Sequence, residues 1–326
     1  MKKFGVIEGF YGKLMSFEDR HKILKSFSKN QLNYYLYAPK EDPFLRHNFD
    51  LEPSNEWSEQ FKKFLDDAFS KSVEIEVGVS PSLESHTKFI QQKIEFFLNL
   101  GCRRFSFLFD DLAEFNLNNQ IKIVQEFKRK YPHINFSFCP TVYCTELSIQ
   151  DDSYKKYFQD FCQSFPRDIE FYWTGEKVIS TKLETKSEAL LENFPTENIA
   201  VWDNYFTIDS CPQLLNLTNM AHVDRSYFDK KTKFLMNLTG LPRTDLLLVD
   251  VFNNYLNATE SFPNILYEHG LDEHLIENID WFNPDLRNKL SRKDQEKIEK
   301  IMLSWFHPLK NEWYPYLHTL KNWGKK

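Results

Sequence analysis

The sequence predicts a (β/α)8 TIM barrel, eight parallel strands inside and helices outside, with a helical C-terminal extension. Three observations carry this reading. Short runs rich in β-branched and aromatic residues alternate with longer helix-period segments from Lys3 to about Asn257. Eight such pairs recur at roughly thirty to forty residues each, the rhythm of a closed parallel barrel. The 326 residues, 41% of them hydrophobic, suffice for one large core, and α/β barrels routinely fill such a length as one unit.

Taken in order, the first strand is expected at Lys3–Glu8 and its helix at Glu18–Lys29. Asn33–Ala38 is followed by Glu56–Lys71, Glu74–Ser80 by Thr87–Leu100, and Arg104–Phe109 by Asn118–Tyr131. Asn135–Pro140 leads to Asp152–Phe165, Glu170–Trp173 to Thr181–Leu191, Ile199–Trp202 to Pro212–Ala221, and Thr232–Asn237 to Thr244–Leu256. A doubly wound sheet would need a glycine-rich phosphate turn after the first strand. Glu8-Gly9-Phe10-Tyr11-Gly12 instead places an aromatic pair where the backbone would have to approach phosphate. The alternation stops after Asn257, which divides the chain into a barrel (1–257) and an extension (258–326). Ser291-Arg292-Lys293-Asp294 reads as a helix start in that extension. Its late aromatics, Trp305, Trp313, Tyr314, Tyr316 and Trp323, are expected to pack on the barrel.

Composition narrows the function classes. Lys and Arg number 41 against 47 Asp and Glu, a net charge of −6 with both signs mixed along the chain. No basic footprint exists for nucleic acid or an anionic membrane. No run of about eighteen apolar residues occurs, and Met1-Lys2-Lys3 opens no signal peptide. The scattered cysteines (Cys102, Cys139, Cys144, Cys162, Cys211) lack CxxC spacing, so free thiols in a reducing compartment are expected. A cytoplasmic location follows as the expectation, with no cofactor and with the oligomeric state left open. The 31 Phe, 15 Tyr and 7 Trp exceed a core's strict needs. Most are read as core, and the excess suits stacking on the C–H faces of a sugar.

In such barrels chemistry sits at the C-terminal strand ends. Those ends carry Glu8-Gly9, Lys40, Asp110-Asp111, Tyr143, Trp173-Thr174, Trp202-Asp203-Asn204 and Asn237, a convergent set that suits a small polar ligand. Asp110-Asp111 is the sharpest feature. Adjacent strand residues point to opposite faces, so both can reach one pocket only where the backbone leaves β geometry. Two carboxylates so close are expected to raise one pKa, giving a proton donor beside an anion, as glycosidic cleavage requires. The same pair also fits an N-cap, which needs only one aspartate, or a divalent-metal site, which usually recruits phosphates as well.

Gly5-Val6-Ile7-Glu8-Gly9-Phe10-Tyr11-Gly12, Tyr37-Ala38-Pro39-Lys40, Phe109-Asp110-Asp111, Pro140-Thr141-Val142-Tyr143, Trp173-Thr174-Gly175 and Trp202-Asp203-Asn204 stand in the order seen in glycoside hydrolase family 84. The chain resembles that family, of protein O-GlcNAcases and bacterial β-N-acetylglucosaminidases, over roughly residues 4–256. The resemblance implies a retaining, substrate-assisted, metal-free reaction in which the sugar's 2-acetamido oxygen attacks the anomeric carbon. Asp110 then matches the residue that accepts the acetamide N–H, Asp111 the general acid and base, and Tyr143 the tyrosine of the acetamide pocket. Trp173, Thr174, Gly175 and Val178 are similar to the lining of that pocket, and Trp202 to its aromatic wall. Gly9, Lys40, Asn204, Asp209 and Asn237 match contacts to the sugar hydroxyls, which implies exo-cleavage of GlcNAc-bearing glycans or glycoproteins. Ile208 stands where the family usually has Asn before the binding Asp, and Asn237 lacks the usual following proline. Phe44, Phe115 and Tyr205 are the candidates for the rim. Three functions stay open: removal of O-GlcNAc from Ser or Thr, the same chemistry on other glycans, and sugar binding without catalysis.

Overall fold

The structure is a computed structural model that describes residues 2–27, 31–47, 51–81, 87–112, 115–183, 188–208, 214–230 and 232–324. Its strands form where branched and aromatic residues make a pleated surface buried on both faces. They are β1 (Lys3–Glu8), β2 (Tyr34–Tyr37), β3 (Glu74–Val79), β4 (Arg104–Leu108), β5 (Asn135–Cys139), β6 (Glu170–Trp173), β7 (Ile199–Asp203) and β8 (Lys233–Asn237). Each pairs in parallel with the next, and β8 pairs with β1 to close the barrel. Alternation sorts the side chains. Ile7, Tyr34, Leu36, Leu108, Cys139, Tyr172, Trp202 and Leu235 cluster inside, while Val6, Tyr35, Val77, Phe107, Phe138, Phe171, Val201 and Met236 belong to the larger core under the helices.

The inside is not wholly apolar. Fully buried Lys233 donates to Glu76 (2.8 Å) and to Glu170 (2.9 Å). Glu76 also accepts from the hydroxyls of Tyr34 (2.8 Å) and Tyr172 (2.6 Å) and from Ser137. Burial alone would raise the Glu76 pKa, but the Lys233 ammonium and these donors lower it to about 2. The charge is thus buried with its partners already in place.

The helices are α1 (Phe17–Phe27), α2 (Asn55–Ser70), α3 (Thr87–Leu100), α4 (Leu117–Lys130), α5 (Thr145–Ser148), α6 (Asp152–Ser164), α7 (Glu188–Asn193), α8 (Arg225–Lys230) and α9 (Pro242–Asn257). After them come α10 (Phe262–Glu268), α11 (Glu273–Glu277), α12 (Arg292–Ser304) and α13 (Pro308–Lys321). Ser54, Asn116 and Asp151 cap their helices through side-chain oxygens. Ser291 and Asp294 form the reciprocal capping box of α12. Among the described residues no helix is long and apolar enough to cross a membrane.

Two expected helices differ. Thr181–Leu183 is not helical: Leu183 bridges Val223 and its N–H donates to the His222 carbonyl, and the described helix of this connection is α7, Glu188–Asn193. Of the helix expected over Pro212–Ala221, the described part is irregular, and the helix of this connection is α8 instead. Leu215 and Leu217 are buried and Asn216 only partly so, a period of two rather than 3.6. The Arg287 guanidinium takes the Leu215 carbonyl and the Asn216 side chain, and Leu217 N–H donates to the Phe282 carbonyl. Those contacts come from residues some seventy positions downstream, which a local pattern does not contain.

Candidate active site

The C-terminal strand ends enclose a cavity of about 170 Å³, the size of a single small ligand rather than an extended groove. Gly9, Lys40, Asp110, Asp111, Tyr143, Thr174, Val178, Trp202, Asn204 and Asn237 all line it. Asp209 lies outside the described residues. Trp173 is placed elsewhere. As the last residue of β6 it faces outward, buried in the outer core against Phe158, because the next residue, Thr174, takes the inward position. The rim candidates also turn inward: Tyr205 stacks on His222 at 3.8 Å, Phe115 packs on Tyr154, and Phe44 packs on Trp57.

One backbone angle brings the aspartates together. Asp111 has φ 58°, the left-handed region, which a short polar side chain tolerates better than most. The chain thus leaves β geometry immediately after Asp110, and two successive side chains enter one cavity. The Lys40 ammonium, itself buried, bonds Asp110 Oδ2 and lies 3.8 Å from Asp111 Oδ2. Asp111 Oδ2 accepts from the Tyr11 hydroxyl (2.7 Å) and Oδ1 from the Tyr143 hydroxyl (2.8 Å). The expected rise in one carboxyl's pKa is not found at Asp111. Burial pushes upward, but Lys40, the two tyrosine hydroxyls and Arg46 together hold this group below the usual carboxylate range. Lys40, a cation set between the two acids, offsets the repulsion of the close pair. Asp110 Oδ1 is buried and has no hydrogen-bond partner among the described residues.

The opposite wall is a network of amides. Gly9 N–H donates to Asn237 Oδ1 (3.1 Å), and Asn237 Nδ2 to Asn204 Oδ1 (2.9 Å). Asn204 Oδ1 also accepts from Trp202 Nε1 (2.9 Å), while its Nδ2 donates to the Val178 carbonyl (3.0 Å). A Cβ on Gly9 would lie 2.5 Å from the Trp202 ring, so only glycine lets β1 end against that wall. Tyr143 is held from behind, since Thr174 N–H donates to its carbonyl. Gly175, at φ 99°, turns the following loop so that Val178 faces inward.

Several lining residues escaped the sequence reading: Tyr11, Cys139, Ile179 and Thr207. Tyr11 lies within the Gly9-Phe10-Tyr11-Gly12 motif, and strict alternation from Ser137 places Cys139 inside. Arg46 stands 5.4 Å from the Tyr11 ring centroid, and nothing local to its segment signals that. The acid at the end of β1, Glu8, is not part of the site. It is held outside the barrel by Arg20 (2.7 and 2.8 Å) and the Tyr35 hydroxyl (2.7 Å). Asp203 likewise faces His222 (3.0 Å).

A barrel mouth with paired carboxylates, a buried lysine and tyrosine donors around a small cavity has the groups that glycosidic cleavage uses. A family model described as β-N-acetylglucosaminidase matches residues 4–262, and the chain belongs to that family, glycoside hydrolase family 84. Similar proteins include the protein O-GlcNAcases of Mus musculus and Rattus norvegicus, each 29% identical over 227 residues. Those matches cover 63% of this chain and 24% of each relative, so the chain spans about a quarter of their length. Similar solved structures include CpGH84B, with a TM-score of 0.78, 19% identity, and coverage of 99% of this chain and 67% of that one. A mutant of the Thermobaculum terrenum O-GlcNAc hydrolase gives 0.77, 21%, 98% and 81%. At those identities the structures speak for the fold.

Proposed function

We propose that this chain is a retaining exo-β-N-acetylglucosaminidase working by substrate assistance, with O-GlcNAc on Ser or Thr of proteins as the substrate class and other GlcNAc-terminated glycans as the alternative. The observation that carries the reading is the buried Oδ1 of Asp110, without a hydrogen-bond partner among the described residues. A buried acceptor without a donor costs on the order of 1–3 kcal/mol, and an acetamide N–H supplies the missing donor. With that bond made, Asp110 orients the acetamide so that its oxygen attacks the anomeric carbon. Asp111 donates a proton to the leaving oxygen as the glycosidic bond breaks, then takes one from the water that opens the oxazoline. Tyr143 turns its hydroxyl to the acetamide oxygen. Positioning of this kind contributes up to roughly 7–11 kcal/mol in ideal cases.

Intact donors and acids favour this over a sugar-binding protein without catalysis, for which an acid beside the leaving group has no use. We further propose residues 1–257 as the catalytic barrel and 258–326 as an extension that braces it. Cys102, Cys139, Cys144 and Cys162 are free and buried, which supports a reducing compartment such as the cytoplasm. Hydrolysis of a fluorogenic aryl β-N-acetylglucosaminide by wild type, Asp110→Asn and Asp111→Asn, with an N-trifluoroacetyl substrate alongside, tests the mechanism. Turnover that falls with fluorination and with Asp110→Asn is expected. Binding of the sugar without turnover by wild type would overturn the proposal in favour of a pseudoenzyme.

A further inference from the structure

Both oxygens of Asp111 are taken in the free site, Oδ2 by the Tyr11 hydroxyl at 2.7 Å and Oδ1 by that of Tyr143 at 2.8 Å. A carboxylate that accepts two O–H bonds is favoured as an anion, since both bonds are made to the charged form. An acid that must protonate a leaving oxygen has to lose such bonds first. The two tyrosines are not equivalent. Tyr143 is anchored through its carbonyl to Thr174 N–H, below the cavity. Tyr11 stands on the loop after β1, outside any helix or strand, and is 42% exposed at the open mouth. Its ring lies between two cations, with Lys40 at 5.9 Å and Arg46 at 5.4 Å from the centroid.

Building on the glycosidase reading above, we propose that Tyr11 is a positioning residue that keeps the acid disarmed in the free enzyme, and that the entering leaving-group oxygen arms Asp111 by displacing the Tyr11 hydroxyl. Tyr143 releases its own bond when it turns to the acetamide. Asp111, now facing Asp110, the Lys40 and Arg46 cations and the Cys139 thiol without hydroxyl donors, takes a proton from solvent. That proton passes to the leaving oxygen as the C1–O bond breaks and the acetamide oxygen bonds C1. The attacking water returns one proton to Asp111, and it leaves for solvent when product departs and Tyr11 closes again. The site therefore holds an ionised acid at rest and a protonated one only around a bound glycoside. Hydrogen bonds from Tyr11 and Tyr143 and the charges of Lys40 and Arg46 already hold the free Asp111 low against its burial.

The test is the pH dependence of phenyl β-N-acetylglucosaminide hydrolysis by wild type and Tyr11→Phe, with Tyr11→Leu as a second variant. The profile of kcat/KM reports the free enzyme and that of kcat the complex. Loss of one hydrogen bond to the charged form should move the basic limb of kcat/KM upward by about one pH unit. The limb of kcat should stay where it is, because the Tyr11 bond is already broken in the complex. A kcat/KM limb that does not move, or limbs that move together, would overturn the proposal while leaving the glycosidase reading intact. Absence of turnover by the wild type would instead remove that reading and this proposal with it. Unchanged thermal midpoints for both variants, expected for a half-exposed side chain, separate the shift from misfolding.

Discussion

At the scale of single residues, the φ of 58° at Asp111 decides what the aspartate pair can do. Regular strand geometry would send the second carboxylate out under the helices, as it sends Glu8 to Arg20. The left-handed turn costs on the order of 1–2 kcal/mol in a non-glycine residue and yields two carboxylates in one cavity. Under the proposed roles, Asp111→Ala should cut turnover of substrates with poor leaving groups by about 100-fold or more. Activated aryl glycosides, which need no acid, should lose far less in the same variant. Equal losses on both, measured as kcat/KM across a leaving-group series, would mean that Asp111 is not the proton donor. The pair and Tyr143 were legible because strand-end motifs lie where barrel chemistry lies. Lys40 was read toward the sugar hydroxyls; its place between the acids was not legible, since it is seventy residues from Asp110 in the chain and meets it only because the ends of β2 and β4 curve around the barrel mouth. Trp173 shows the opposite error: a motif pointed to the cavity, while alternation along β6 turned the ring away.

At the scale of elements, the strands were legible almost to the residue, because branched and aromatic runs bounded by turns do not depend on distant partners. The helix expected at Pro212–Ala221 was not found for the opposite reason, since the described part of that segment is shaped by Arg287 and Phe282 rather than by its own pattern. The barrel's buried charge couples elements in a way that invites a direct test. Lys233 on β8 holds Glu76 on β3, with Tyr34 and Tyr172 closing the ring. Lys233→Met leaves a buried carboxylate short of its cation, which should cost about 3–5 kcal/mol in urea unfolding. Combining it with Glu76→Leu should recover part of that loss, because the fully buried carboxylate goes with its cation, while Glu170 is partly exposed to water. The pH dependence has a definite sign. The folded pKa of Glu76, about 2, lies below its ordinary 4.5. Its contribution is therefore present above the ordinary value and lost as pH falls toward about 2. In Glu76→Gln that part of the acid-side slope should be missing.

At the scale of the whole molecule, the extension and the sugar wall are joined by hydrogen bonds linked through short stretches of chain. The N-cap of α9 is Leu241, which supplies no side-chain cap. Glu312 of α13 does the capping, accepting from Arg243 N–H (3.0 Å), Thr244 N–H (2.9 Å) and the Thr244 hydroxyl (2.7 Å). Its neighbour Trp313, fully buried, donates Nε1–H to the same hydroxyl (3.0 Å). One residue further on, Asp245 accepts from Thr239 N–H, the Thr239 hydroxyl and Gly240 N–H, fixing the loop that leaves β8 two residues after Asn237. Burial, aided by Glu312, pushes Asp245 up to about 7. Glu312→Ala removes a cap supplied from far along the chain and should cost about 1–2 kcal/mol. If the extension braces the barrel as proposed, the same variant should also raise KM for an aryl β-N-acetylglucosaminide several-fold at nearly constant kcat, because Asn237 positions Gly9 and Asn204 rather than touching the acids. A stability loss with KM unchanged would show that the β8 loop holds itself and would confine the extension to folding. A fall in kcat alone would contradict the path from α13 to the sugar wall, since nothing on it meets Asp110 or Asp111 directly.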